Sequence, residues 1–130
     1  MIPKFRAWDK YHEIMVIIIS IDFERKITYV GREDGDRWEI HFDNLNFMQS
    51  TGLKDKNGVE IFEGNIVNYD DGEFSYIGSV KKDCYQFYIN GIEPVDSYDF
   101  IDVSNTFDGT TSLTILGNIY ENPELLEAIE

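Results

Sequence analysis

Hydrophobic and polar positions alternate along much of this chain with a period of two, the period that sends successive side chains to opposite faces of a strand. Phe5, Ala7 and Asp9 alternate with Arg6 and Trp8, which predicts a strand over residues 4–8. Residues 14–21 are rich in isoleucine and valine and read as a central strand, because branched side chains suit a pleated surface. Another strand is expected over residues 26–30. Trp38, Ile40 and Phe42 alternate with Glu39 and His41, which predicts a half-buried strand with its polar face outward. Further strands are predicted at residues 47–51, 60–62, 66–69, 76–82, 84–89, 92–95 and 113–116.

Turn chemistry separates these runs. Asp34-Gly35, Asn57-Gly58, Asp71-Gly72 and Asn90-Gly91 pair a residue that tolerates left-handed backbone with one that prefers it, so each reads as a hairpin or tight turn. Glu63-Gly64-Asn65 predicts a tight turn between two short strands, an arrangement common at the start of SH3-like barrels. Residues 96–111 show no clear period. The end of the chain changes character: Asn122 is a good helix cap, Pro123 suits the first helical position and Glu124 favours a helix start. A short C-terminal helix is expected from Pro123, with Leu125 and Ile129 docked on the rest. The expected fold is mostly β, a β-barrel-type domain spanning residues 1–130, with an N-terminal β portion (1–46), an SH3-like portion (47–130) and the short helix.

Composition narrows the function classes. Hydrophobic residues make up 42% of the 130, enough for a core without disulfides or metal, and the 15% aromatic share argues against disorder. Twenty-five acids against eleven bases leave a net charge of −14. Such a surface repels phosphate backbones and anionic lipid, so no direct nucleic-acid binding and no membrane association are expected. The charge serves solubility, or it suits a basic partner to which carboxylates present themselves as phosphates would. The apolar run at residues 14–19 is far shorter than the ~20 residues of a membrane helix. The N-terminus lacks the pattern of a secretory signal. Cys84 is the only cysteine, so no internal disulfide and no cysteine-based zinc site is available; it reads as a half-buried strand residue in a reducing, cytoplasmic setting.

Candidate chemistry is sparse. The loop around Gly58 fails as a calcium-binding EF-hand, because Leu53 and Gly64 fall where carboxylates are required. Asp70, Asp71 and Glu73, or Glu39 with His41, are the groupings a metal-dependent enzyme would draw on, although the Asp70 cluster is better explained as a turn. No Gly-x-Ser-x-Gly elbow and no phosphate-binding Gly-x-x-x-x-Gly-Lys sequence is present. No catalytic residue and no cofactor is therefore expected. Aromatic residues are dense for so small a chain, and Trp38, Tyr76, Tyr85, Phe87 and Tyr88 are the candidate interaction surface, for a protein partner or for self-association.

Three segments resemble one family. Phe47, Met48 and Gln49, then Thr51 to Gly58 (Thr-Gly-Leu-Lys-Asp-Lys-Asn-Gly), then Ile61, Phe62, Glu63, Gly64, Ile66 and Val67 match the central motif of the YopX family. The opening KFRAWDK and the closing GNIYENPELL extend the resemblance to both ends. Asn65 stands where the family commonly has Asp, and Ser50 where it often has Tyr. The missing charge at Asn65 argues against a metal-ligating role there, whereas its turn-making ability is kept. The resemblance implies a β-rich fold and a phage or prophage origin, and allows for oligomers. It implies no catalytic residue. The resulting expectation is a noncatalytic, cytoplasmic accessory protein that works through surface contacts, with an acidic DNA-mimicking decoy and a metal-dependent enzyme as alternatives.

Overall fold

The structure is a computed structural model, and it describes residues 5–83, 86–93, 96–100, 103–105 and 108–126. Cys84, Tyr85, Val95 and Ile129 lie outside the described residues, and with them the expectations placed on those side chains. The chain divides into two compact units, residues 1–49 and 50–130. The boundary expected after Asn46 and the one found at Gln49/Ser50 both fall inside a single strand.

The first unit is an antiparallel sheet. Strands β1 (Phe5–Asp9), β2 (Ile14–Asp22), β3 (Ile27–Gly31) and β4 (Arg37–His41) follow one another as neighbours, and the first half of β5 (Leu45–Lys54) pairs with the other side of β1. Aspartates make the turns. Asp22 accepts the backbone N–H groups of Glu24 and Arg25 and the Arg25 Nε–H, closing β2 onto β3. Gly35 provides the left-handed backbone (φ 99°) of the β3–β4 hairpin. Ala7, Val16, Val30, Ile40 and Leu45 form the buried cluster, with Ile14, Ile18 and Trp38 packed against it. Each valine, isoleucine or leucine side chain contributes about 1.5–3 kcal/mol when fully buried.

The second unit holds a five-stranded antiparallel sheet in the order β10 (Ser97–Asp99), β9 (Phe87–Glu93), β8 (Ser75–Lys82), β7 (Asn65–Asp70), β13 (Leu113–Asn118). The second half of β5 pairs with β6 (Glu60–Phe62) and runs parallel to β12 (Thr110–Thr111), which pairs with β11 (Ser104–Asn105). Ile61, Val67, Tyr76, Val80, Ile89, Phe100 and Leu113 are its buried cluster.

The mostly-β expectation is met, but both strand orders are open paths, so the described strands do not close into a barrel. From Pro123 to Leu126 the chain is a 3-10 helix; the continuation to Ile129 is outside the described residues. Asn90-Gly91 is not a turn. Both residues lie within β9, where Gly91 faces Gly78 of β8 and Asn90 faces Ser79. A side chain at Gly78 would come within 2.6 Å of Ile89 Cγ2 and 2.8 Å of the Asn90 carbonyl, so close strand approach explains a glycine there. Residues 96–111, without a period in the sequence, contribute the short strands β10, β11 and β12.

Candidate functional site

The most elaborate polar arrangement in the first unit centres on Asp9. This residue ends β1 and is fully buried. One carboxylate oxygen accepts the backbone N–H groups of Tyr11 and His12, each at 2.9 Å. The other accepts His12 Nδ1–H at 2.7 Å and the Trp38 indole Nε1–H at 3.1 Å. The Asp9 carbonyl accepts the Glu13 N–H, and Glu13 takes left-handed backbone (φ 58°) to re-enter the sheet. Burial pushes the Asp9 carboxyl pKa up, but the hydrogen bonds from the His12 backbone, the His12 ring and the Trp38 indole outweigh it and hold the group below the usual carboxylate range.

The bond to Asp9 places the His12 proton on Nδ1 in the neutral ring and leaves Nε2 as an acceptor. The ring meets Tyr11 and Trp38 edge-on, at 4.8 and 5.4 Å between centroids. His12 shares an open hollow of about 280 Å³ with Tyr11, Glu39, Ile40, His41 and Asn44. There His41 Nδ1 accepts the Asp43 N–H at 3.2 Å, which leaves its Nε2 as the protonated nitrogen of the neutral ring. The two rings lining the hollow therefore differ in tautomer when neutral, His12 carrying its proton on Nδ1 and His41 on Nε2. Glu39 and His41 do come together, joined by His12, which the sequence pattern did not single out. Among the described residues no group of three His, Cys, Asp or Glu side chains is arranged to hold a metal ion.

The second unit has an open hollow of about 540 Å³ bounded by Lys56, Tyr69, Asp70, Asp71, Thr110, Thr111 and Ser112. Its carboxylates are engaged in the β7–β8 turn. Asp71 accepts the N–H groups of Glu73 and Phe74, Asp70 accepts that of Gly72, and Tyr69 Oη–H donates to Asp71 at 3.1 Å. The backbone bonds from Phe74 and Glu73 hold Asp71 below its ordinary pKa, and the bond to Asp71 raises that of the Tyr69 phenol.

The aromatic residues singled out in the sequence have different fates. Tyr76 is 3% exposed and lies in the core, stacked on Tyr98 with ring centroids 3.8 Å apart and on Tyr69 at 5.3 Å. Its place on β8 turns it inward, so it cannot serve as a surface contact. Trp38 is half-buried against the first core and is bonded to Asp9. Phe87 and Tyr88 are half-buried, Phe87 packing on the second core. Tyr85 is outside the described residues.

Exposed apolar side chains lie elsewhere. Ile17 and Ile19 of β2 and Tyr29 of β3 are 46%, 42% and 38% exposed. Ile17 pairs with Gly31, and a side chain at Gly31 would meet Ile19 Cδ1 at 3.0 Å, so both isoleucines lie over the glycine. Tyr29, two residues before Gly31, shares that face. A register shift between Ile18 and Ser20 crowds the apolar residues there, a bulge that no residue pattern announced.

Family comparison agrees with the motif reading. The family model described as YopX protein matches residues 4–127. The chain belongs to the YopX family. No curated protein matches it. A solved structure, described as the crystal structure of protein EF1440 from Enterococcus faecalis, is similar at 30% identity and a TM-score of 0.61, covering 98% of this chain and 99% of that one.

In this YopX chain the motif residues are tied into the fold. Asp55, 2% exposed, accepts the N–H groups of Asn57 and Val59 on one oxygen and that of Ile115 on the other. Asn65 accepts the Phe62 N–H and donates to the Gly117 carbonyl. Asn118 accepts the N–H groups of Tyr120 and Glu121, and the Asn122 side chain accepts the Asn118 N–H. The central and closing motifs thus hold turns and join β7 to β13. Among the described residues no helix is long and apolar enough to cross a membrane.

Proposed function

We propose that this YopX-family chain is a noncatalytic protein-interaction module, a phage or prophage accessory acting in the cytoplasm of the bacterial host. The observation that carries this reading is the face formed by Ile17, Ile19 and Tyr29, three exposed apolar side chains held by a hydrogen-bonded sheet. Ordered apolar side chains on a rigid sheet lose little entropy on docking, which suits them to contact. The expectation of an SH3-like portion rests on the short antiparallel strands around the Glu63-Gly64 turn.

The test is affinity capture from bacteria that carry the prophage, comparing wild type with Ile17→Asp and Ile19→Asp. A partner recovered by the wild type and lost with both variants supports the reading. Equal recovery by all three would count decisively against this face.

A second reading rests on where the charge lies. Residues 1–49 hold seven Lys and Arg against nine Asp and Glu, whereas residues 50–130 hold four against sixteen. The acidic excess therefore belongs to the second unit, which suits a basic partner in the manner of a DNA-mimicking decoy. Its signature is salt-sensitive binding to a basic host protein that DNA competes away; binding indifferent to both sets the decoy aside.

A further inference from the structure

The exposed face of β2 and β3 carries a placed charge as well as apolar side chains. The strand register sets one row across the sheet as Arg6 of β1, Ile17 of β2, Gly31 of β3 and Arg37 of β4. Cross-strand partners project from the same side of a sheet, so Arg37 shares the face of Ile17, Ile19 and Tyr29. Gly31 is not among the glycines with left-handed backbone, so the hairpin that follows does not explain it. Space does. A side chain at Gly31 would run into the Arg37 guanidinium and come within 3.0 Å of Ile19 Cδ1. Arg37 therefore lies back across the buried Gly31, beside the isoleucines, and is itself exposed to solvent.

That guanidinium has no counter-ion. Among the described residues no carboxylate lies within ion-pair distance of Arg37, although Glu33, Asp34 and Asp36 belong to the adjoining hairpin. Asp34 turns instead to the Asp36 N–H. Glu39, opposite Tyr29 on the same face, acts on the charge of Arg25. A guanidinium is a planar fork that fits a carboxylate with two parallel hydrogen bonds, and here it is already held beside apolar side chains. The wider charge agrees. The first unit has seven bases against nine acids, so it does not repel an acidic segment as the second unit does with four against sixteen.

We propose that this face takes an acidic-apolar segment of another protein. An aliphatic or aromatic side chain of the segment seats on Ile17, Ile19 and Tyr29, and an adjacent Asp or Glu pairs with the Arg37 guanidinium. The assignment rests on the reading of this face as the contact surface and adds the chemistry of the partner. Apolar burial supplies attraction without direction, whereas the carboxylate fixes the register and selects against a basic segment of the same shape.

The experiment is selection from a displayed library of random peptides on wild type, Ile17→Asp, Arg37→Glu and Arg32→Glu. Arg32 is exposed and next to Gly31 in sequence, so its variant changes the net charge equally without touching the row. Wild type should enrich peptides with Asp or Glu beside an aliphatic or aromatic residue, and Ile17→Asp should lose them. The leading peptide is then synthesised, together with versions in which the carboxylate becomes an amide or a lysine, and its affinity is read by fluorescence anisotropy. The amide version should bind wild type about tenfold more weakly. Arg37→Glu should lose the acidic peptide by about tenfold or more and bind the lysine version better than wild type does, which also shows that the variant is folded. Arg32→Glu should bind as wild type. Peptides lost with Ile17→Asp but without an acidic preference overturn the assignment and leave the contact face standing. So does a preference that Arg37→Glu leaves unchanged or that Arg32→Glu alters as much. No peptide enriched by wild type above Ile17→Asp also overturns it, and capture from bacteria then decides the face by itself.

Discussion

Replacing Asp9 by Asn tests whether the buried carboxylate organises the first unit. Four N–H donors converge on two oxygens: two backbone groups on one, the His12 ring and the Trp38 indole on the other. An amide can accept for one pair only. With its oxygen kept on the backbone pair, its nitrogen faces the Trp38 N–H, donor against donor. Hydrogen bonds to a charged acceptor contribute about 1.5–3 kcal/mol each. His12, about half exposed, can turn to water or change tautomer, which lowers its share. The expected loss is about 2–4 kcal/mol at neutral pH. Both tryptophans, Trp8 and Trp38, lie in the first unit, so urea denaturation followed by tryptophan fluorescence reports on it directly. The loss should also depend on pH. The folded-state pKa of Asp9 is lowered from 3.8, so the folded protein binds fewer protons than the unfolded chain in the acid range. The stabilisation is complete above the unfolded pKa and disappears as pH falls through the lower folded value. The gap between wild type and Asp9→Asn should therefore be constant near neutrality and shrink below about pH 3.9. A gap under about 0.5 kcal/mol at neutral pH, or one unchanged into strong acid, would refute the argument.

Other substitutions test the second unit. Asp55→Ala removes the acceptor for three backbone N–H groups, and a loss of about 2–4 kcal/mol is expected in chemical denaturation; a change within 0.5 kcal/mol, the range of ordinary surface substitutions, would mean water replaces the carboxylate freely. Gly78→Ala drives a methyl group against Ile89 and the Asn90 carbonyl, for an expected cost of about 1–3 kcal/mol, and unchanged thermal stability would show that β8 and β9 can separate there without penalty. Tyr76→Ala should cost about 3–5 kcal/mol if Tyr76 is core, whereas a surface tyrosine would lose little.

Much of the architecture follows from local pattern alone. The branched run of β2, the alternation of β4 and the Asp-Gly turns after β3 and β7 are short-range signals, because pleating and left-handed backbone are set within a few residues. The central and closing YopX motifs were legible for the same reason: their Asp and Asn side chains bond backbone groups two to four residues away, and then reach across to β13. Local pattern fails where a distant strand decides. Asn90-Gly91 carries the dipeptide of a turn, but Gly78 opposite makes it a place for two backbones to approach closely. Ile17 belongs to a run that reads as a central strand yet is exposed, and Tyr76, a candidate for the surface, is core; sheet order and register settle which face meets a core. Asp9 and Trp38 are 29 positions apart, so their bond exists only once β1 and β4 belong to one sheet. The net charge is a property of composition. Its uneven division between the two units, and the place of β4 at the end of its sheet, are properties of the folded chain, because only the tertiary structure determines where a unit ends and which strands become neighbours.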